Sequence, residues 1–251
     1  MIVPERLPTR LSTVPIIEAT FQVRFAPVEP QAHELLPGLL LPRLRDYVPH
    51  FEGLGPGHLP VEILQQDPSL WYQHTGRLTG PQYNVGFGPR VLSLSANRPY
   101  PGWPEFRKVV EHTLDALRAS EQARNIERFS LKYRHCLEAG HDIDHLSLLN
   151  VNLSVGNLQF AHKSARIAVE STDGDFQNLV SVLTRASVSI NATGEQLFGV
   201  MLDVDTIHNG GYSDFWNEAG HLMDAAHKVE KETFFGLLTR ETLESLGPVW
   251  E

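Results

Sequence analysis

Hydrophobic and polar residues alternate strictly near the start of the chain. Ile17, Ala19, Phe21, Val23 and Phe25 fall on one side, and Glu18, Thr20, Gln22 and Arg24 on the other. A period of two predicts a half-buried β-strand over residues 14–26. The same period returns later, where Phe129, Leu131, Tyr133, His135 and Leu137 oppose Arg128, Ser130, Lys132, Arg134 and Cys136 in a strand over 127–138. Between them the spacing becomes helical. Phe106, Val109, Val110, Thr113, Leu114 and Leu117 make one stripe, and Pro104 suits the first helical position, where its missing N–H costs nothing. An apolar stripe followed by an apolar strand face implies a helix packed on a sheet.

Shorter strands are expected at Val61–Gln66, Leu70–Arg77, Tyr83–Phe87 and Arg90–Ala96, after a loop at Gly53–Gly57. The Leu-rich stretch 30–50 is broken by Pro37 and Pro42 and reads as short helical pieces, the second from Pro42 to before Pro49. In the second half, Leu149–Val155, Ser164–Ser171, Val180–Ile190 and Phe198–Thr206 alternate as strands. Val188 and Ile190 keep the phase of Val180 and Val182. A long helix follows from about Asp214, capped by Ser213, with Phe215, Ala219, Leu222, Ala226 and Val229 as a stripe facing the sheet or a partner. Thr239 caps a last short helix that Gly247 and Pro248 end.

Short connections favour antiparallel meanders. The fold class expected is therefore α+β, an extended antiparallel sheet with two long amphipathic helices. Each half runs strong strand, meander, helix. This order predicts two related units, 1–125 and 126–251, packed as one, their sheets joined edge to edge or face to face.

Composition narrows the function. The 251 residues are 41% hydrophobic and 20% charged, ordinary for a globular protein. A net charge of −9 disfavours a general nucleic-acid binder. The single Cys136 excludes an intramolecular disulfide and a Cys-rich zinc site, and fits a reducing cytoplasm. No apolar run approaches the ~18 residues of a spanning helix, and MIVPERLPTRL lacks a signal-peptide core, so a cytoplasmic protein without membrane association is expected.

The segments PIIEATFQVRF, GPRVLSLSANRPYPGWPEF, IERFSLKYRH and FFGLLTRETLESLG together resemble a sporadically distributed family of uncharacterised bacterial proteins of about this length. The resemblance covers nearly the whole chain, and PYPGW with the strand-end RF is its most specific part. It implies no catalytic residue or cofactor. Its patchy occurrence implies mobile genes with accessory, defence or toxin–antitoxin-type roles. The chain departs from the pattern at LKYRHCLEA, where a more polar continuation is expected.

Candidate chemistry centres on cations. If the first and central strands pair, Arg24, Arg128, Lys132 and Arg134 gather on one face, with Arg90 and Arg98 at its edge, a density suited to phosphate or carboxylate. Trp71, Tyr72, Tyr100 and Trp103 would supply stacking surfaces. The plain alternative is neutralisation by Glu18, Glu127 and Glu138. The PYPGW corner more simply seals the end of the core, with Trp103 under its helix. Asp203, Asp205 and His208 offer a metal-ligand set for a hydrolase or nuclease. Glu218, His221, Asp224 and His227 recur at intervals of three and read as a solvated helix face. No G-x-S-x-G elbow, H-E-x-x-H or phosphate loop occurs. The expectation is a binding or accessory protein rather than an enzyme, without a cofactor. Its partner is another protein, a second copy of the chain included, or a phosphate-bearing ligand. The alternatives are the hydrolase and a subunit of an assembly.

Overall fold

The structure, a computed structural model, describes residues 7–190 and 194–250. In chain order the elements are β1 (Arg10–Leu11), β2 (Ile16–Pro27), α1 (Ala32–Leu44), β3 (His50–Gly53), α2 (Val61–Gln66), β4 (Gly76–Thr79), β5 (Tyr83–Gly88) and β6 (Val91–Asn97). Then come α3 (Trp103–Ser120), β7 (Ala123–Glu138), β8 (Arg166–Asp173), β9 (Phe176–Ile190), β10 (Glu195–His208), α4 (Phe215–Leu237), α5 (Arg240–Ser245) and β11 (Pro248–Val249). The chain is α+β. The sequence MIVPER, where a leader would begin, lies outside the described residues.

Nine strands form one antiparallel sheet in the order β3-β4-β5-β6-β2-β7-β10-β9-β8. The two strongest alternating segments, β2 and β7, pair at its centre, with Phe21 opposite Leu131 and Val23 opposite Phe129. The two sheet halves therefore join edge to edge. The rhyme in element order is a rhyme in space. After each central strand the chain goes out to the sheet edge, meanders back, and enters a long helix. Position 125/126 itself falls inside β7.

One sheet face is mostly apolar because the inward positions of β2 and β6, and of β7 as far as Leu131, are. Ala19, Phe21, Val23, Leu92, Leu94, Phe129 and Leu131 are buried with Leu36 and Leu40 of α1, Phe106 and Val110 of α3, and Phe215 and Met223 of α4. All six stripe residues expected on α3 are buried, and Pro104 sits at its start. On α4 the stripe lies against the sheet: Phe215, Ala219 and Ala226 are buried, and Leu222 and Val229 pack on the same core. The stripe is thus not available to a partner. The cap of α4 is Asp214, which accepts from the Asn217 amide, rather than Ser213. Thr239 caps α5 as expected.

Several local expectations are corrected. Residues 61–66 are helical, with Leu64 buried and Ile63 exposed. Residues 68–70 form a 3₁₀ turn capped by Asp67, and the strand begins only at Gly76. His50–Gly53, for which no strand is expected, pairs with β4, so Gly53 ends a strand rather than opening the loop. The stretch 32–44 is one helix containing both Pro37 and Pro42, because Ala32, His33, Leu36, Leu40 and Leu44 all fall on one buried face. Leu149–Val155 is irregular; the Asn150 side chain ties it to the carbonyls of Gly236 and Leu238 at the end of α4. In β9 and β10 a register shift near Gly199 reverses the phase. Val188, Ile190 and Leu197 then cluster with Cys136 on the other face, joined by Ile17 from a bulge between Ile16 and Glu18.

Candidate functional site

Helices α1, α3, α4 and α5 pack on the apolar face, and the polar face of the central strands lies on the other side of the sheet. The β2–β7 register brings Arg24 directly opposite Arg128, Thr20 opposite Lys132 and Glu18 opposite Arg134. The four cations share one surface. β10 then lays Asp203 beside Arg134 and Asp205 beside Lys132.

Charge pairing divides this surface. At one end Arg134 Nη1 lies 3.2 Å from Glu18 Oε2 and its Nε 3.2 Å from Asp203 Oδ1, while Lys132 Nζ lies 3.3 Å from Asp203 Oδ2. Those two cations are neutralised in place. At the other end Arg24 Nε and Arg128 Nη1 both donate to the same Gln22 Oε1, at 3.3 and 3.2 Å. Among the described residues neither makes an ion pair. Burial, then the facing Arg24, pushes Arg128 down from its ordinary value. Burial also raises the Asp205 carboxyl from its ordinary value, against the pull of Arg128 and Lys132.

The segment before β4 crosses the same face. Tyr72 stacks under Arg24, with the guanidinium carbon 4.0 Å from the ring centre, and His74 Nε2 meets Ser93 Oγ at 3.1 Å. A depression of about 270 Å³ on this face is lined by Glu18, Thr20, Gln22, His74, Ser93, Ser95, Lys132 and Arg134, next to the neutralised end. Arg90 and Arg98 are taken by Glu127 and Glu195.

Tyr100 and Trp103, grouped with these cations in the sequence reading, lie across the sheet. Tyr100 packs edge-on against Tyr133 and Phe106, on the helix-covered side. The alternation of β7 places Tyr133 opposite in sense to Lys132, so no binding surface on one face can use both groups. The set Asp203, Asp205 and His208 is divided in the same way. His208 stacks on Phe129 at 5.7 Å in the core, whereas the two carboxylates face out. Among the described residues no group of three or more His, Cys, Asp or Glu side chains is placed to hold a metal ion.

Beneath Tyr100 and Trp103 is a second polar constellation. It sits in a cavity of about 190 Å³ between α4, β7 and the N-terminal segment that carries β1. Tyr133, His135 and Glu230 line it and are 1%, 2% and 3% exposed. Tyr133 Oη meets Tyr100 Oη at 2.9 Å and His227 Nδ1 at 3.5 Å. His227 stacks on Trp103 at 4.2 Å, and His135 on Phe234 at 3.9 Å. His135 Nε2 is 3.9 Å from Glu230 Oε1, beyond hydrogen-bond reach. Among the described residues both Glu230 Oε1 and His135 Nδ1 lack a hydrogen-bond partner. Burial pushes the Glu230 carboxyl up to about 8 and both histidines down to about 3.

This cluster escapes a reading based on apolar stripes. Glu230 occupies the helical position that follows Ala219, Met223 and Ala226 at steps of four, three and four, so it is carried inward by its neighbours. That phase was the available signal. His227, expected on a solvated face, is drawn in by Trp103; Asp224 instead accepts from Trp103 Nε1 at 3.2 Å and pairs with Arg107 at 3.0 Å.

Comparison with known proteins gives no relative: no protein-family model matches the chain, and no curated protein matches it in sequence. Among the described residues no helix is long and apolar enough to cross a membrane.

Proposed function

We propose that this chain is a binding protein that takes a phosphate-bearing ligand on its open sheet face, at the end defined by Arg24 and Arg128. The observation that carries this is two guanidinium groups at facing register positions, sharing one amide oxygen and no carboxylate. Like charges directly opposite in a sheet are destabilising, so the arrangement calls for an anion between or above them. Guanidinium forks match phosphate oxygens, and the hydroxyl-lined depression alongside adds donors. Tyr72 holds Arg24 in place and offers a flat surface beside the anion.

The resemblance to sporadically distributed bacterial proteins supports an accessory role in a mobile or defence-type gene cassette. A single thiol, Cys136, which burial raises to about 11, suits the cytoplasm.

Calorimetric titration with pyrophosphate and with a short single-stranded oligonucleotide tests the reading. At least one binds in moderate salt, and Arg24→Ala with Arg128→Ala weakens it tenfold or more, since each charge-assisted hydrogen bond contributes about 1.5–3 kcal/mol. Arg134→Ala has a smaller effect, because Glu18 and Asp203 already hold that side chain. Binding of neither probe, or equal binding by the double variant, refutes it.

A further inference from the structure

We propose that the cavity on the opposite face of the sheet binds an amino-acid-sized zwitterion, its ammonium group on Glu230 and its carboxylate towards Lys231 and Arg10 at the mouth.

Among the described residues Glu230 Oε1 is buried, aimed into a cavity and without a hydrogen-bond partner, although an unmet acceptor in such a place costs about 1–3 kcal/mol. His135 cannot supply the missing bond at 3.9 Å, and its ring is held flat against Phe234. Tyr133 is committed to Tyr100 and His227. Among the described residues no donor reaches it, which leaves the place open to a ligand's donor. The walls beside Glu230 are aromatic, from Tyr100, Trp103, Tyr133 and Phe234. A carboxylate ringed by aromatic faces is the chemistry that recognises an ammonium group.

The mouth has the opposite character. Lys231, next along α4, is half-buried and reaches Pro8 O at 3.0 Å, and Arg10 is exposed on the lining segment. The charged and titratable groups facing Glu230 are thus Lys231 from its own helix, His135 and Tyr133 from β7, His227 from α4, Tyr100 from the corner before α3, and Arg10 from β1. Glu230 is the one carboxylate among them, and it is buried whereas Arg10 is exposed. A simple amine would meet cations on entry, and a simple acid would leave an ionised Glu230 without a donor. A molecule with both ends satisfies both. Size agrees: a cavity near 150 Å³ holds benzene, so about 190 Å³ admits roughly six to ten non-hydrogen atoms.

The fold makes the cavity wall adjustable without disturbing the sheet. β1 pairs only with β11, and Lys231 is hydrogen-bonded to the same segment. The site and the cationic face do not depend on each other.

The test is thermal shift and calorimetry with the twenty free amino acids, set against the amine and the acid that match the best of them. A zwitterion of apolar side chain binds best, its amine more weakly, and its deaminated acid not at all. Lys231→Met reduces the preference for the zwitterion over the amine. Binding requires Glu230 to ionise, so below about pH 8 the affinity rises with pH by up to tenfold per unit, and protons are released. That release is read on the parent protein as a binding heat that changes with buffer ionisation enthalpy, which does not depend on any variant folding. Glu230→Gln loses both the release and at least tenfold in affinity. No binding by any amino acid, binding without proton release at pH 7, or undiminished binding by Glu230→Gln overturns the proposal.

Discussion

Glu230 and its two histidine neighbours are buried in forms that oppose one another in pH. The Glu230 carboxyl is raised to about 8, so between about pH 4.5 and 8 the folded state holds a proton that the unfolded state has released. Stability therefore falls as pH rises through that window, by about 1.4 kcal/mol per unit at most. His135 and His227, lowered to about 3, do the reverse. Between about pH 3 and 6.5 the unfolded state binds protons that they refuse, so stability falls as pH drops. His33 and His74, both lowered by burial, add to that acid limb. The sum peaks near pH 6.5. Urea titrations from pH 5 to 8.5 read the profile, and Glu230→Gln flattens its alkaline limb while keeping the acid one. A variant profile parallel to the parent's above pH 6.5 would show that Glu230 is ionised in the folded protein. None of this was legible from residue types, since a lone Glu on a helix is ordinarily solvated. The cationic face was legible because strict alternation fixes which side chains share a side. Glu18 was recognised as an acidic neighbour, but the role of Asp203 depended on β10 being the strand that meets β7.

At the scale of elements, pattern was a reliable guide wherever it ran long. β2, β7 and α3 repeat their period over three or more turns or pleats, and their buried faces match the sequence reading residue by residue from Ala19 onwards and along α3. Short runs carried too few repeats to separate helix from strand, as at 61–66. Leu149–Val155 alternates without a neighbouring strand to pair with. Gly199 marks another feature that hydrophobicity cannot show. A Cβ there would stand 2.0 Å from the carbonyl oxygen of Leu137 in the adjoining strand, where the β9–β10 register shifts. Close approach of two backbones demands glycine. Gly199→Ala forces β7 and β10 apart and costs about 1–3 kcal/mol. Gly53→Ala, with nothing within 4 Å of the new carbon, changes stability by about 0.5 kcal/mol or less. Urea melts of the two variants side by side check the contrast, and equal midpoints would mean that the strands yield freely at Gly199.

Across the whole molecule the two halves share an order of elements and one large core, with a smaller buried cluster around Leu137, Val182, Leu202 and Phe234 inside the second half. Phe21 of β2, Phe129 of β7, Phe106 of α3 and Phe215 of α4 belong to one buried cluster, and the Phe21 and Phe129 rings lie 5.9 Å apart across the central seam. The sequence reading left open whether the sheets joined or faced each other, because element order is the same in both arrangements; the β2–β7 ladder decides it. A chain cut before β7 would leave β2 with an open edge and the inner faces of α3 and β6 without α4. Cutting there removes the partner of each half rather than releasing a domain, since unpaired hydrophobic edges favour aggregation over folding. Fragments 1–122 and 123–251 are accordingly expected to lack cooperative melts when produced singly, and to regain native circular dichroism when co-expressed. The intact chain is expected to lose tryptophan fluorescence and helical signal in one transition. Trp71 and Trp103 sit in the first half and Trp216 at the start of α4 in the second, so emission follows both. Two separated transitions, or a fragment that melts cooperatively alone, would show that each half carries a core of its own. The central ladder would then be an interface between units, and the cationic face built across it could be taken apart without unfolding either side.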